Sequence, residues 1–145
     1  MKITVCGSIA FIKEMEWLAN QLIELGHKAE FPPTKIPGEK GELIPALEYY
    51  KHKKALPADD KAWIWKHHFQ RIKDHFDKVE WAEAILVANF DKNNIVGYIG
   101  PNTLMEMGLA FHLGKKIYLL NPIPELAWKE EILGMKPVVI EEDLK

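Results

Sequence analysis

The chain has 145 residues, of which 48% are hydrophobic and 28% charged, and its formal net charge is -2. These values are typical of one globular domain, so we expect a single domain over residues 1–145. The small negative charge argues against a nucleic-acid polymer as partner. No apolar run approaches the roughly 20 residues that span a bilayer. Because no signal peptide is recognisable at the start, the sequence predicts a cytoplasmic protein without a membrane partner.

The start of the chain predicts a strand, a helix and a second strand. Residues 3–6 form an apolar run, and residues 11–25 repeat apolar side chains at spacings of three and four, which predicts an amphipathic helix. Residues 28–31 then predict a short strand. The single cysteine, Cys6, lies in the first strand, and we expect it to be a buried structural thiol.

Gly7 and Ser8 follow the first predicted strand directly. Ligands of open α/β sheets bind at the carboxyl ends of the strands, where backbone N–H groups and a hydroxyl can receive an anion. A plain helix-capping role for Ser8 is the alternative interpretation. The G-x-G-x-x-G pattern of dinucleotide sites is absent, and no cofactor is predicted.

A long connection follows over residues 32–57, with five prolines and one predicted short helix at 43–52. Long connections in compact domains are often lids or binding loops. The basic cluster at residues 51–54 predicts either a phosphate contact or a solvated surface.

The longest helical pattern runs from residue 58 to about residue 81. Asp74 and Asp77, near its end, are expected either to approach the following strand as acid catalysts or to face solvent. His67, His68 and His75 are spaced unlike metal ligands, because adjacent helical positions point about 100° apart and no H-E-x-x-H pattern exists. The sequence therefore predicts no metal site.

The central part of the chain predicts strand, loop, helix and strand. Residues 84–88 are a continuous apolar run, as in a strand buried on both faces. Asn102 or Thr103 is expected to cap a helix that ends at Gly114. The remaining predicted elements are a strand at 116–120, a short helix at 125–133 and a strand at 137–140. Together these elements predict a doubly wound α/β sandwich with a mostly parallel, five-stranded sheet.

Glu106 is the strongest candidate for chemistry, since it is placed in the first turn of this helix at the ligand edge. Two interpretations compete. The spacing from Thr103 to Glu106 is that of a capping box, in which the carboxylate bonds its own helix start. Alternatively the carboxylate faces a substrate. The further candidates for substrate contact lie beside it in the chain: Asn89, Gly100, Asn102 and Thr103.

Three stretches resemble the nucleoside 2-deoxyribosyltransferase family, which includes 2′-deoxynucleoside 5′-phosphate N-hydrolases. They are residues 3–8 (ITVCGS), residues 82–87 (AEAILV) and residues 106–115 (EMGLAFHLGK). The third is similar to the family pattern E-[LIM]-G-x-A-x-x-x-G-K. The resemblance implies a flavodoxin-like, Rossmann-related fold that assembles as a homodimer or larger homo-oligomer. It also implies that Glu106 is the nucleophile on the anomeric carbon of the sugar.

The chain departs from the family at two places. Gly100 stands six residues before the Glu, where family members carry Asp or Ser. His75 occupies the place of an Asp that helps to handle the base, with Asp74 and Asp77 nearby. The predicted function is N-glycosidic cleavage or deoxyribosyl transfer on a small nucleoside or nucleoside 5′-monophosphate. A nucleotide-sensing module without catalysis and a purely structural oligomer with tryptophan contacts are the alternatives.

Overall fold

The structure is a computed structural model that describes residues 1–56 and 63–145. Within these ranges a short 3-10 turn at Ile9–Phe11 precedes the first helix. The strands are β1 (Lys2–Cys6), β2 (Lys28–Glu30), β3 (Lys35–Pro37), β4 (Leu43–Pro45), β5 (Ala84–Val87), β6 (Lys116–Leu119) and β7 (Val138–Val139). The helices are α1 (Ile12–Glu24), α2 (Ala46–Ala55), α3 (Trp63–Trp81), α4 (Pro101–His112) and α5 (Lys129–Gly134).

Five strands form a parallel sheet in the order β2-β1-β5-β6-β7. In the central pair, Ile3 lies opposite Ala84 and Cys6 opposite Val87. This is the flavodoxin-like strand order, in which the chain reverses its direction of travel between β1 and β5. The predicted fold class is therefore confirmed. The crevice at the carboxyl ends of β1 and β5 is where such folds bind ligands.

Alternate residues of the central strands enter two separate hydrophobic clusters, one on each face of the sheet. Val5 and Leu86 pack with α1 and α2, whereas Cys6, Ile85 and Val87 pack with α4 and α5. Both faces of the sheet are covered, and this gives the three layers of the sandwich. The four residues of β5 are all buried, as their apolar sequence predicts.

Most differences from the prediction concern the connections. The 32–57 stretch contains an antiparallel hairpin, β3 with β4, that the sequence analysis missed, and α2 begins three residues later than predicted. The short helix predicted at 125–133 begins at Lys129. The predicted start of the long helix at residue 58 lies outside the described residues. None of the described helices is both long and apolar enough to cross a membrane.

Candidate active site

A cavity of about 420 Å³ opens at the carboxyl ends of β1 and β5. Such a volume lies in the range of small-molecule sites. Its described walls come from the loop after β1, helices α2 and α3, the loop after β5 and the first turns of α4. The cavity therefore occupies the switch point of the sheet. It brings together most of the predicted site residues: Gly7, Ser8, Asp74, His75, Gly100, Asn102, Thr103 and Glu106.

Glu106 lines this cavity and does not cap its own helix. Helix α4 begins with Gly100 as the N-cap and Pro101 in the first position, and no side chain among the described residues caps it. The prediction that Asn102 or Thr103 starts the helix is therefore wrong by two or three residues. Glu106 consequently lies in the second turn, beyond the reach of a capping box. The structure removes the competing interpretation for this carboxylate.

Glu106 meets His75 and Cys6 at the bottom of the cavity. Its Oε2 lies 3.6 Å from Nε2 of His75, and the same Nε2 lies 3.3 Å from Sγ of Cys6. The Glu106 side chain is 13% exposed, yet Oε2 is buried without a hydrogen-bond partner among the described residues. Cys6 is fully buried, as predicted, but its thiol also contacts His75, which lines the cavity.

Burial sets the protonation of this group. It raises the pKa of Glu106 to about 8, against a smaller opposing effect of the neighbouring Cys6 thiol. It also lowers the pKa of His75 to about 4, and Lys78 lowers it further. Burial, with Glu106 beside it, raises the pKa of Cys6 well above its usual value. At neutral pH these three side chains are therefore a neutral acid, a neutral imidazole and a thiol.

The N-terminus of α4 does not keep Glu106 ionised. A helix dipole contributes about 0.3–1 kcal/mol and acts within the first turn. A rise of about 3.5 pKa units corresponds to roughly 5 kcal/mol in the opposite direction. Because Glu106 lies in the second turn and is surrounded by protein, desolvation dominates.

Glu106→Gln is expected to gain stability over wild type as the pH rises from about 4.5 to about 8. In this window the folded protein keeps the carboxyl proton while the unfolded chain releases it, so rising pH destabilises wild type relative to Glu106→Gln. The difference should approach roughly 5 kcal/mol above pH 8. Urea unfolding at pH 5, 7 and 9 in EDTA measures it, with Glu80→Gln on the exposed side of α3 as control. Parallel pH curves for wild type and Glu106→Gln would contradict the assignment.

Lys92, which the sequence analysis missed, forms a second polar centre in the cavity. Its Nζ donates to Oγ of Ser8 and to the hydroxyl of Tyr50, each at 2.9 Å. The same Nζ lies 4.9 Å from the ring centre of Tyr50 and 5.1 Å from that of Tyr98. Cation–π contacts of this kind hold an ammonium group in a defined position. Ser8 also accepts a 3.4 Å hydrogen bond from the N–H of Ala10, so it both caps the 3-10 turn and faces the cavity.

Positive charge dominates the cavity walls. The described lining carries five cationic side chains (Lys53, Lys54, Arg71, Lys78 and Lys92) against two acidic ones. Two of these lysines belong to the basic cluster at residues 51–54. Burial would raise the pKa of Tyr50, but Lys92 and Lys54 outweigh it and lower the pKa. The cavity thus attracts anions although the whole chain has a net charge of -2.

A side chain at Gly100 would press against Tyr98. A Cβ at this position would lie 3.2 Å from the ring and the hydroxyl of Tyr98. The Tyr98 hydroxyl therefore stands where the side chain of residue 100 would otherwise project, and it too lines the cavity. Tyr98 and Gly100 are different positions, so the sequence does not show that the Tyr98 hydroxyl lies beside residue 100.

The two candidate aspartates, Asp74 and Asp77, lie on different sides of α3. Asp74 lines the cavity and forms a 2.9 Å ion pair with Arg71 and a 2.7 Å hydrogen bond with Gln70. Asp77 is exposed and does not line the described cavity. It follows His75 by two residues, which turns it about 200° away around the helix axis. The prediction that Asp77 approaches the reacting centre is therefore wrong.

Asn89 is fully buried and serves the fold, contrary to its predicted role in substrate binding. Its Nδ2 donates to the carbonyl oxygens of Asn121 at 2.9 Å and Pro122 at 3.2 Å, and its Oδ1 accepts from the N–H of Asn121 at 2.9 Å. It ties together the loops after β5 and β6. Thr103 is almost fully buried at the cavity wall, whereas Asn102 is half-buried there.

The described residues contain one group of side chains spaced to hold a metal. The ligand atoms of Cys6, His75 and Glu106 all lie within 4.8 Å of one another. The other histidines considered for a metal do not join them, since His67 bonds the carbonyl oxygen of Pro37 at 3.1 Å and His68 lies against Trp65. The sequence analysis missed this group because its members come from three elements.

Comparison with known proteins adds a distant structural match. No protein-family model matches the chain, and no curated protein matches it. Among solved structures, the chain is similar to a 2-deoxyribosyltransferase from the psychrotolerant bacterium Bacillus psychrosaccharolyticus. The two are 17% identical, the match covers 82% of this chain and 71% of that one, and the TM-score is 0.46. At this distance the likeness carries no argument about the site.

Proposed function

We propose that this protein cleaves or transfers the N-glycosidic bond of a nucleoside 5′-monophosphate, with Glu106 as the nucleophile. The observation that carries the proposal is the position of Glu106, which lies at the bottom of a cavity at the switch point with one carboxylate oxygen unpartnered. The family resemblance of residues 106–115 supports the same role. The Glu106 carboxylate is not engaged in a cap, so it is available to a sugar.

The proposed reaction has two steps. In the first, a carboxylate oxygen of Glu106 bonds to the anomeric carbon while the bond from that carbon to the base nitrogen breaks, and the electron pair leaves with the base. In the second, water or another base attacks the same carbon and releases the carboxylate. Positive charge that develops on the sugar lowers the pKa of the adjacent carboxyl group, which favours its ionised form as the reaction proceeds.

Asp74 is the proposed contact for the leaving base. It lines the cavity, and its ion pair with Arg71 fixes its position. A carboxylate in an ion pair carries no proton to donate, so Asp74 accepts a hydrogen bond from the base, and water supplies the proton that the departing base takes up. We assign His75 to positioning Glu106, since its Nε2 faces Cys6 and Glu106.

Lys92 and its neighbours are the proposed phosphate site. Lys92 is held between two tyrosine rings and Ser8, and Lys53 and Lys54 line the same cavity. A phosphate there would receive several charge-assisted hydrogen bonds. The Tyr98 hydroxyl, which occupies the space beside Gly100, is the proposed substitute for the polar side chain of related sequences.

The test is to incubate the protein with deoxynucleosides, ribonucleosides, their 5′-monophosphates and free bases, and to follow base release by chromatography. We expect release from at least one monophosphate and faster release than from the matching nucleoside. One observation favours a binding module without catalysis: Glu106 is protonated at neutral pH. Tight nucleotide binding by calorimetry, without any turnover between pH 7 and 9, would show that the protein is a binding module and not an enzyme.

Lys92→Met is expected to remove the preference for monophosphates. Methionine keeps the apolar stem between the two tyrosines but loses the charge. Hydrogen bonds to charged groups contribute about 1.5–3 kcal/mol, so kcat/KM for the monophosphate should fall about 10- to 150-fold. Lys73→Met is the matched control, since Lys73 also lies over an aromatic ring, 5.7 Å from that of Phe69, but on the exposed side of α3. Equal losses for nucleoside and monophosphate would refute the phosphate site.

A further inference from the structure

His75 and Glu106, which line the cavity, and the buried Cys6 beside them offer three different metal-ligand atoms close together. Sγ of Cys6 and Nε2 of His75 are 3.3 Å apart, and Nε2 is 3.6 Å from Oε2 of Glu106. All three atoms lie within 4.8 Å of one another. They come from the end of β1, the second half of α3 and the second turn of α4, so packed elements of the fold hold them together.

The two separations that involve Nε2 of His75 are close to those on one face of a tetrahedral site. Bonds of about 2.3 Å to sulfur and about 2.0–2.1 Å to nitrogen and oxygen place sulfur and nitrogen about 3.5 Å apart, and nitrogen and oxygen about 3.3 Å apart. The observed distances differ from these by a few tenths of an ångström.

We propose that Cys6, His75 and Glu106 bind a divalent transition-metal ion of the zinc type, with the fourth coordination position facing the cavity. The combination of sulfur, imidazole nitrogen and carboxylate oxygen suits Zn²⁺ or Co²⁺, whereas Mg²⁺ and Ca²⁺ prefer oxygen alone. Three protein ligands with one open position are the arrangement of exchangeable and catalytic zinc sites.

A second observation favours a cation beside Glu106. Oε2 of Glu106 is buried and has no hydrogen-bond partner among the described residues. A metal ion would satisfy it, and the thiolate and carboxylate together would balance the two positive charges of the ion. Lys78 is the cation that opposes binding from α3, but its ammonium group is committed to the carbonyl oxygen of Phe31 at 2.6 Å and to Glu30 at 3.8 Å.

Metal binding and the proposed reaction would compete for one carboxylate. A Glu106 oxygen that coordinates a metal is unavailable to the anomeric carbon, so the ion would inhibit base release reversibly. The binding itself does not depend on the proposed function. If the metal binds and turnover continues, the role of Glu106 in the reaction is wrong while the metal site stands.

The test is a Co²⁺ titration of the full chain after EDTA treatment. We expect the near-ultraviolet thiolate-to-cobalt charge-transfer band and the strong visible bands of a tetrahedral ion, saturating at one ion per chain and lost when Zn²⁺ is added. Cys6→Ala should lose the charge-transfer band. His52→Ala should keep it, and this variant is matched because His52 also lies beside a carboxylate, 3.7 Å from Glu48, but in an exposed position on α2.

No charge-transfer band in the wild-type protein would overturn the proposal, and so would a band that survives in Cys6→Ala. Circular dichroism establishes that each variant is folded. If Cys6→Ala does not fold, Glu106→Gln decides, because loss of one ligand should weaken Co²⁺ binding at least about tenfold. Unchanged Co²⁺ affinity in Glu106→Gln would exclude the site.

Discussion

Glu106→Ala is expected to lose base release almost completely, with kcat/KM lower by at least about 10³-fold. Removal of a nucleophile costs both the covalent step and the charge that stabilises the cationic sugar, and losses of roughly 10⁴–10⁶-fold are known for other nucleophilic enzymes. The comparison is made with the best substrate of the base-release panel, in EDTA. Nucleotide affinity should change far less than turnover, because the residues of the proposed phosphate site, Lys92 and its neighbours, lie elsewhere in the cavity wall.

Glu106→Gln separates the role of the charge from that of the side-chain volume. It fills the same space without a titratable group and should be as inactive as the alanine variant. Glu80→Gln, which removes an exposed carboxylate on α3, should keep wild-type turnover. If either Glu106 variant released base at a wild-type rate, the proposed nucleophile would be wrong.

The rate of base release should rise with pH through the pKa of Glu106. The nucleophile must be ionised, and burial raises its pKa to about 8, so the ionised fraction increases about tenfold from pH 7 to pH 9. kcat/KM should follow this increase. The second ionisation of a phosphate ester lies near pH 6, so the window from 7 to 9 isolates the enzyme group. The profile is measured in EDTA to keep metal ions from the carboxylate.

His75→Gln gives the matching control for this profile. His75 contacts the carboxyl group but titrates near pH 4, far outside the window. Its replacement should therefore change the rate while the rise between pH 7 and 9 remains. A flat profile in wild type, or one that falls over this range, would exclude an ionised Glu106 as the attacking group.

The sheet was predictable because its signals are local. The buried strands β1 and β5 are short apolar runs that end at polar or loop residues, and α1 shows its apolar stripe directly. The hairpin of β3 and β4 was not predictable in this way, since each strand has only three residues and both contain proline. Proline usually argues against strand pairing.

The start of α4 had a usable signal that the analysis did not weigh. Pro101 follows Gly100, and proline is favoured in the first helical position. Weighing that preference would have placed Glu106 in the second turn and removed the capping-box alternative. The helical rotation of about 100° per residue would likewise have separated Asp77 from His75.

The contacts within the site could not be read from the sequence. Cys6 and His75 are 69 positions apart, and Lys92 is 84 positions from Ser8, so only the packed sheet brings them together. The protonation of Glu106 depends on the same packing, since desolvation is a property of the assembled cavity. The sequence indicates Glu106 as the candidate acid, and the packing of the fold sets its protonation.

Mass spectrometry of the protein quenched during turnover of a 2′-fluorinated deoxynucleotide tests the nucleophile most directly. Fluorine at the 2′ position slows both steps, because it withdraws electrons from the cationic sugar. A good leaving base restores the rate of the first step. We expect one sugar phosphate per chain, attached through an ester to the peptide that contains Glu106, and no attachment in Glu106→Gln. Release of one equivalent of base without any gain in protein mass, or attachment at another residue, would contradict the account.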